Sequence, residues 1–160
     1  MKELFKNLYV GTDDDVPEAR KRGFDIIHAE KNGEYSHRSL LKYDTQSAPK
    51  GPEYLYARRP HNLYLNLIDA DDPSFVPDAL INEALAFIKH SLDEGKSVLI
   101  HCNKGISRSP TIAFLYLYSV GKLPYNHHQA IRAFRRLYPQ YDPSIGLELY
   151  AKKRIKELKR

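Results

Sequence analysis

The chain contains one cysteine, and that scarcity decides much of its chemistry. A lone thiol cannot form an internal disulfide and cannot build a metal site by itself, so any thiol chemistry belongs to Cys102. The missing disulfide framework suits a reducing compartment, and an intracellular, cytoplasmic setting is expected. No apolar run reaches the length of a membrane span, so no transmembrane segment is expected. The opening Met-Lys-Glu-Leu-Phe-Lys has the wrong charge pattern for a secretory signal. Internal repeats, low-complexity tracts and dividing linkers are missing as well, which points to one domain over residues 1–160. Metal-ligand spacing is equally scarce. His127 and His128 are adjacent on a predicted helix and point to different faces, while His37 and His61 have no cysteine or carboxylate partner at ligand spacing. No metal and no cofactor are expected.

What is present is ordinary for a globular protein: 42% hydrophobic and 28% charged residues, with a formal net charge of +5. A basic surface suits an anionic ligand, whether phosphoprotein, lipid headgroup or nucleic acid. Much of the excess sits in Lys152, Lys153, Arg154, Lys156, Lys159 and Arg160, where cations favour the last turn of a helix.

Punctuation and periodicity predict the elements. Leu8-Tyr-Val-Gly11 reads as a strand ending in a turn. Asp15 to Gly23 reads as a short helix with Asp15 as N-cap and Pro17 in its first turn. Phe24 to Ala29 and Asn62 to Ile68 read as strands, and Ser97 to Ile100 as a strand buried on both faces. Ile81, Ala84, Leu85, Ile88 and Leu92 mark an amphipathic helix closed by Gly95. Pro110 to Val120 is apolar almost all round, the pattern of a core helix. Tyr125 to Leu137 and Ser144 to Leu158 complete a helical C-terminal half. Glu30 to His61 has no clear period, and only Tyr54-Leu-Tyr56 within it reads as a strand. The alternation predicts an α/β sandwich with a sheet of four or five strands.

The informative stretch is Val98 to Ile112. A buried strand ends near Cys102, a tight turn follows, and a helix starts near Ser109. Such a turn converges its backbone N–H groups on one point, where the helix N-terminus adds its positive end. Gly105 permits the dihedrals of a tight loop, and Pro110 fits a first helical turn. The same field favours a thiolate, the form able to attack phosphorus. Arg108 can offer a planar fork of donors to two phosphate oxygens, a geometry lysine lacks. Asn103, Lys104, Gly105, Ile106 and Ser107 would contribute mainly backbone N–H groups. Ahead of this stretch, the turn Asp69-Ala-Asp-Asp-Pro73 supplies three carboxylates. Departure of an ester oxygen needs a proton, and a positioned carboxylic acid gives about 10²–10⁴-fold there. Aspartate before proline is also ordinary turn chemistry, and at least one of the three serves that purpose.

His101-Cys-Asn-Lys-Gly-Ile-Ser-Arg-Ser109 matches the His-Cys-x-x-Gly-x-x-Arg-Ser/Thr signature of protein tyrosine phosphatases, and Ser109-Pro-Thr111 resembles their dual-specificity subgroup. Leu8 to Gly11, Tyr64 to Ile68 and Tyr138 to Pro143 are similar to other segments of that subgroup. The segment at about 30–61 fits worst. The resemblance implies a three-layer α/β sandwich with a mixed sheet flanked by helices. It implies a cysteinyl-phosphate route with Cys102 as nucleophile, Arg108 and residues 103–107 as the phosphate cradle, and Asp71 as the general acid, Asp69 and Asp72 remaining alternatives. Ser109 would ease thiolate departure and His101 would orient the loop. The implied substrates are phosphotyrosine and phosphoserine/threonine in proteins, hydrolysed by a monomer. Lys104 departs from many members of the subgroup and keeps an RNA 5′ end or a phosphoinositide open as substrate. A phosphate-binding module without catalysis is the remaining alternative.

Overall fold

The computed structural model describes residues 1–158, so Lys159 and Arg160 of the basic tail lie outside the described residues. In chain order the strands are β1 (Lys2–Phe5), β2 (Leu8–Thr12), β3 (Asp25–His28), β4 (Tyr56–Arg59), β5 (Asn62–Leu65) and β6 (Val98–Cys102). The helices are α1 (Val16–Lys21), α2 (His37–Leu41), α3 (Asp78–Asp93), α4 (Arg108–Ser119), α5 (His127–Leu137) and α6 (Ile145–Ile155). The sheet runs β1-β2-β6-β3-β5-β4. Its four inner strands are parallel, and the edges β1 and β4 are antiparallel to their neighbours.

Strand β6, at the centre, is buried along its whole length, as its apolar run predicts for a parallel strand covered on both faces. Alternation along the strand sorts its side chains between two layers. Val98 and Ile100 join the large core beneath α3, α4, α5 and α6, while Leu99 joins a smaller cluster with Val16 and Ala19 of α1. Sheet and helices thus form the expected three layers. The same period puts Cys102 on the face of α4 and His101 on the face of α1. Both stand at the carboxyl ends of parallel strands, where open α/β sheets place their ligands.

Three local readings differ from the sequence-based expectation. The sheet has six strands where four or five are expected, because two edge strands carry weak patterns. Only Leu4 of β1 is buried, and β4 starts at Tyr56, the last residue of the Tyr54-to-Tyr56 run, and continues into the exposed Arg58 and Arg59. The side chain of Asp15 does not cap α1. It instead accepts from the Thr12 N–H at 2.8 Å and from the N-terminal amine at 2.9 Å. The segment at 30–61 is structured: Ser36 caps α2 by accepting from the Ser39 N–H at 3.0 Å, and Lys42 ends it with φ +59°. Among the described residues, no helix is long and apolar enough to cross a membrane.

Candidate active site

The loop 103–107 between β6 and α4 is fastened from outside through its carbonyls. The Tyr138 hydroxyl donates to the Gly105 carbonyl at 2.5 Å, and the Asp142 N–H to the Ile106 carbonyl at 2.7 Å. The Ser107 carbonyl accepts from the Thr111 hydroxyl at 2.7 Å and from its N–H at 3.1 Å. Tied this way, the N–H groups of residues 104–107 meet no acceptor among the described residues. They are free to take an anion. Gly105 has φ +68°, and a Cβ there would lie 3.0 Å from the Gly11 carbonyl oxygen and 3.2 Å from the Tyr138 hydroxyl. A side chain there would be strained by that φ and would crowd the Gly11 backbone and the Tyr138 hydroxyl.

The loop opens on a cleft of about 170 Å³ lined by Cys102, Asn103, Lys104, Ile106, Ser107, Arg108 and Asp69. The structure therefore brings together the expected nucleophile, the guanidinium and most of the expected cradle. Cys102 is 2% exposed. Its Sγ lies 3.1 Å from Ser109 Oγ and accepts from the Ser109 N–H at 3.4 Å, in the first turn of α4. The helix thus aims both an amide and its dipole at the sulfur. Arg108 Nη1 donates to the Leu67 carbonyl at 3.2 Å, holding the guanidinium at the rim. Tyr138, behind the loop, has its phenol pushed up to about 12, first by burial and then by Cys102.

The acidic turn arrives by a second route. The Gly146 N–H, at the start of α6, donates to the Ala70 carbonyl at 3.1 Å, and a Cβ on Gly146 would strike the backbone of Ala70 and Asp72. Asp69 Oδ1 accepts from the Ser107 hydroxyl at 2.6 Å, and Ser107 Oγ accepts from the Ser144 N–H at 2.8 Å. Asp72 accepts from the Ser74 N–H at 2.8 Å, and hydrogen bonding to Ser74, its side chain first and its N–H second, holds the Asp72 carboxyl below the usual range. Asp71 is exposed and does not line the cleft. Of the three carboxylates, the cleft wall therefore has Asp69, the turn has Asp72, and Asp71 stands free between them.

His101 lies on the opposite face of β6. Its Nδ1 is 3.0 Å from Asp13 Oδ1, and its Nε2 is 2.7 Å from His28 Nδ1. Asp13, His28 with Glu30, and Asn62 reach this point from three segments, and sequence reasoning does not find them. Glu30 opens the segment that lacks a period, and no local pattern marks it. No residue of 31–61 lines the cleft. Among the described residues, Asp13, Glu30 and His101 are the one group whose donor atoms are close enough together to hold a metal ion.

The model of the dual specificity phosphatase catalytic domain matches residues 40–151. Dual specificity protein phosphatase 26 of Rattus norvegicus is 28% identical over 137 residues, which is 84% of this chain and 56% of that protein. Dual specificity protein phosphatase PHS1 of Arabidopsis thaliana is 34% identical over 83 residues, 52% of this chain and 9% of that protein. The chain thus spans little more than half, or far less, of the curated relatives it matches. The crystal structure of DUSP15 superposes with a TM-score of 0.68 over 99% of this chain and 91% of that one, at 20% identity, which speaks to the fold.

Proposed function

The chain belongs to the dual-specificity phosphatase family through its catalytic domain, and from that premise we propose that it hydrolyses phosphomonoesters on proteins through a cysteinyl-phosphate intermediate. The observation that carries the reading is the set of unoccupied N–H donors around a thiol that already receives Ser109. Cys102 attacks phosphorus in line, while the loop amides and the Arg108 fork hold the equatorial oxygens. Asp71 protonates the departing oxygen. A water, activated by the same carboxylate, then cleaves the S–P bond and frees phosphate. Ser109 donates to the sulfur and eases its departure in this second step.

The assignment of Asp71 draws support from its neighbours. Asp69 is committed as acceptor to Ser107 and Asp72 to Ser74, whereas Asp71 is unencumbered on a turn anchored at Ala70. One observation favours a second reading, with Asp69 as the acid: it alone of the three lines the cleft. Residues 31–61 contribute no wall to the cleft, which supports action on phosphoserine/threonine as well as phosphotyrosine. Strands β1 to β3 precede the matched residues yet pair into the same sheet, which supports one catalytic unit running from the first strand to α6. Action as a monomer within the cell completes the proposal.

The test is turnover of an aryl phosphate with rapid acid quench. A phosphoryl adduct on Cys102, seen by mass spectrometry, is the expected result. Turnover with no such adduct, or no turnover at all, would sink the reading. A panel of phosphopeptides beside triphosphorylated RNA and inositol lipids then ranks the substrates.

A further inference from the structure

The face of β6 turned away from Cys102 carries a set of buried ionisable groups that the two-step reaction does not use. Asn62 Nδ2 donates to the Pro60 carbonyl at 2.7 Å, which fixes the amide so that its Oδ1 faces His28 Nε2 at 2.8 Å. His28 therefore donates from Nε2 and leaves Nδ1 bare; burial and the nearby His101 push its pKa down to about 3. His101 Nε2 donates to that bare nitrogen at 2.7 Å. The other nitrogen, His101 Nδ1, lies 3.0 Å from Asp13 Oδ1, and a proton there as well makes the contact an imidazolium–carboxylate pair, which burial of His101 opposes and the bond to Asp13 favours.

Asp13 and Glu30 stand side by side, with a carboxylate oxygen of each within 4.8 Å of the other and of a His101 ring nitrogen, and Glu30 has no exposed surface. With its amide nitrogen turned toward the acids, Asn103 reaches Glu30 Oε1 at 2.8 Å, Glu30 Oε2 at 3.2 Å and Asp13 Oδ2 at 3.3 Å. Two carboxyls in contact require that one of them keep a proton. Gly33 makes room for the arrangement, since a Cβ there would strike the Glu30 carboxyl and come within 3.0 Å of Asn103.

We propose that Glu30 is a positioning residue for the phosphate loop: as a neutral carboxylic acid it donates to Asp13 and accepts from Asn103. One buried acid then holds both His101 and Asn103, the two residues flanking Cys102, in the geometry that binds phosphoryl oxygens. The inference rests on the phosphatase reading of the same loop. Burial pushes Glu30 up to about 9, its contact with Asp13 adds to this, and Arg108 at the start of α4 opposes it. Asp13 moves the other way, below the usual range, through its bond to His101. The remaining groups act through His101: His28 from β3, Asp15 beyond β2 and Arg20 from α1, with the Tyr35 ring 6.3 Å away.

Sulfate affinity, measured by calorimetry on the intact chain, tests this, because sulfate keeps one charge across the range. Between about pH 7 and about pH 10 the wild type should lose roughly tenfold in affinity as Glu30 ionises beneath the bound anion. Glu30→Gln keeps the donor and the acceptor but cannot ionise. It should stay within about threefold of wild type at neutral pH and lack the alkaline loss. Glu30→Ala should bind roughly tenfold more weakly at both pH values. Parallel losses in wild type and Glu30→Gln would overturn the proposal. So would a Glu30→Ala variant that lowers Tm with sulfate affinity intact, or sulfate binding that collapses on chelation, since Asp13, Glu30 and His101 would then be holding a cation. Failure of the phosphatase reading is read separately, as the absence of aryl phosphate turnover whatever sulfate does.

Discussion

Cys102 and His101 are neighbours in sequence and opposites in environment. The face of Cys102 looks onto α4 and an apolar core, and its polar contacts are short-range, to the hydroxyl and N–H of Ser109 in the first turn of the next helix. The face of His101 looks onto buried polar groups gathered from Asp13, His28, Glu30 and Asn62. The first face is built by one turn of chain and can be recognised in a single stretch of sequence. The second is built by the sheet, which alone brings β2 and β3 beside β6 and β5 beside β3. A chemical site and the floor that supports it can thus share a strand while obeying different rules of assembly.

Substitutions on the two faces should separate cleanly, and the largest effect belongs to the sulfur. Cys102→Ser should lower aryl phosphate turnover by roughly 10⁴-fold or more while keeping the fold, because the proposed route makes its thiolate the bond-forming atom. Retained turnover beyond a trace would break the comparison at its root. Next comes the proton donor. Asp71→Asn should cost about 10²–10⁴-fold with a poor leaving group and remove the limb of the pH–rate profile that reports the acid. If Asp69→Asn removes that limb instead, the cleft-lining carboxylate is the acid and Asp71 is turn structure.

A smaller effect is expected where the acidic turn meets α6. Gly146→Ala introduces a methyl against the backbone of Ala70 and Asp72, which should destabilise the fold by about 1–3 kcal/mol. It should also lower turnover more than it lowers alkylation of Cys102 by iodoacetamide, since the turn moves and the sulfur does not. Equal losses would mean that the displacement spreads into the loop.

The face of His101 should declare itself in stability against pH. His28 is held down at about 3 against an ordinary value of 6.5, so the unfolded chain takes up its proton first and stability falls as pH drops through that interval. Glu30 is raised to about 9 from an ordinary value of 4.5, so the folded chain keeps a proton that the unfolded chain releases. Its contribution is present in full below 4.5 and is lost as pH climbs to about 9. Chemical denaturation should therefore show a plateau between the two slopes and a decline on the alkaline side. Glu30→Gln should flatten that decline, and an unchanged slope would remove Glu30 as its source.

How much of this was legible in the sequence follows the same division. Strand β6, the loop and α4 are contiguous, and apolar run, glycine and proline each report a local requirement, so their placement follows from pattern. The long helices α3 and α4 are equally plain. The edges β1 and β4 are not, because a strand with one buried residue, or one ending in two exposed arginines, carries little alternation. Asp15 resembles a helix cap by position, yet its carboxylate turns back to Thr12 and the N-terminal amine. Glu30 gives no local sign at all, since its meaning depends on three segments that only tertiary structure brings near. The register of the acidic turn was readable to within a few residues, and the side-chain commitments of Asp69 and Asp72 became visible only with Ser107 and Ser74 in place.

The hydroxyl of Tyr138 on the Gly105 carbonyl, and the amide of Asp142 on the Ile106 carbonyl, also set a schedule. A chain made from its N-terminus releases Cys102 and its whole loop before either fastening exists. Until Tyr138, Asp142 and Gly146 emerge, the thiol stands on a loop whose carbonyls are untied and whose acidic turn has no anchor on α6. The newborn protein therefore carries the proposed nucleophile on an unfastened loop, and the stretch from Tyr138 to Gly146 is the part that fastens it.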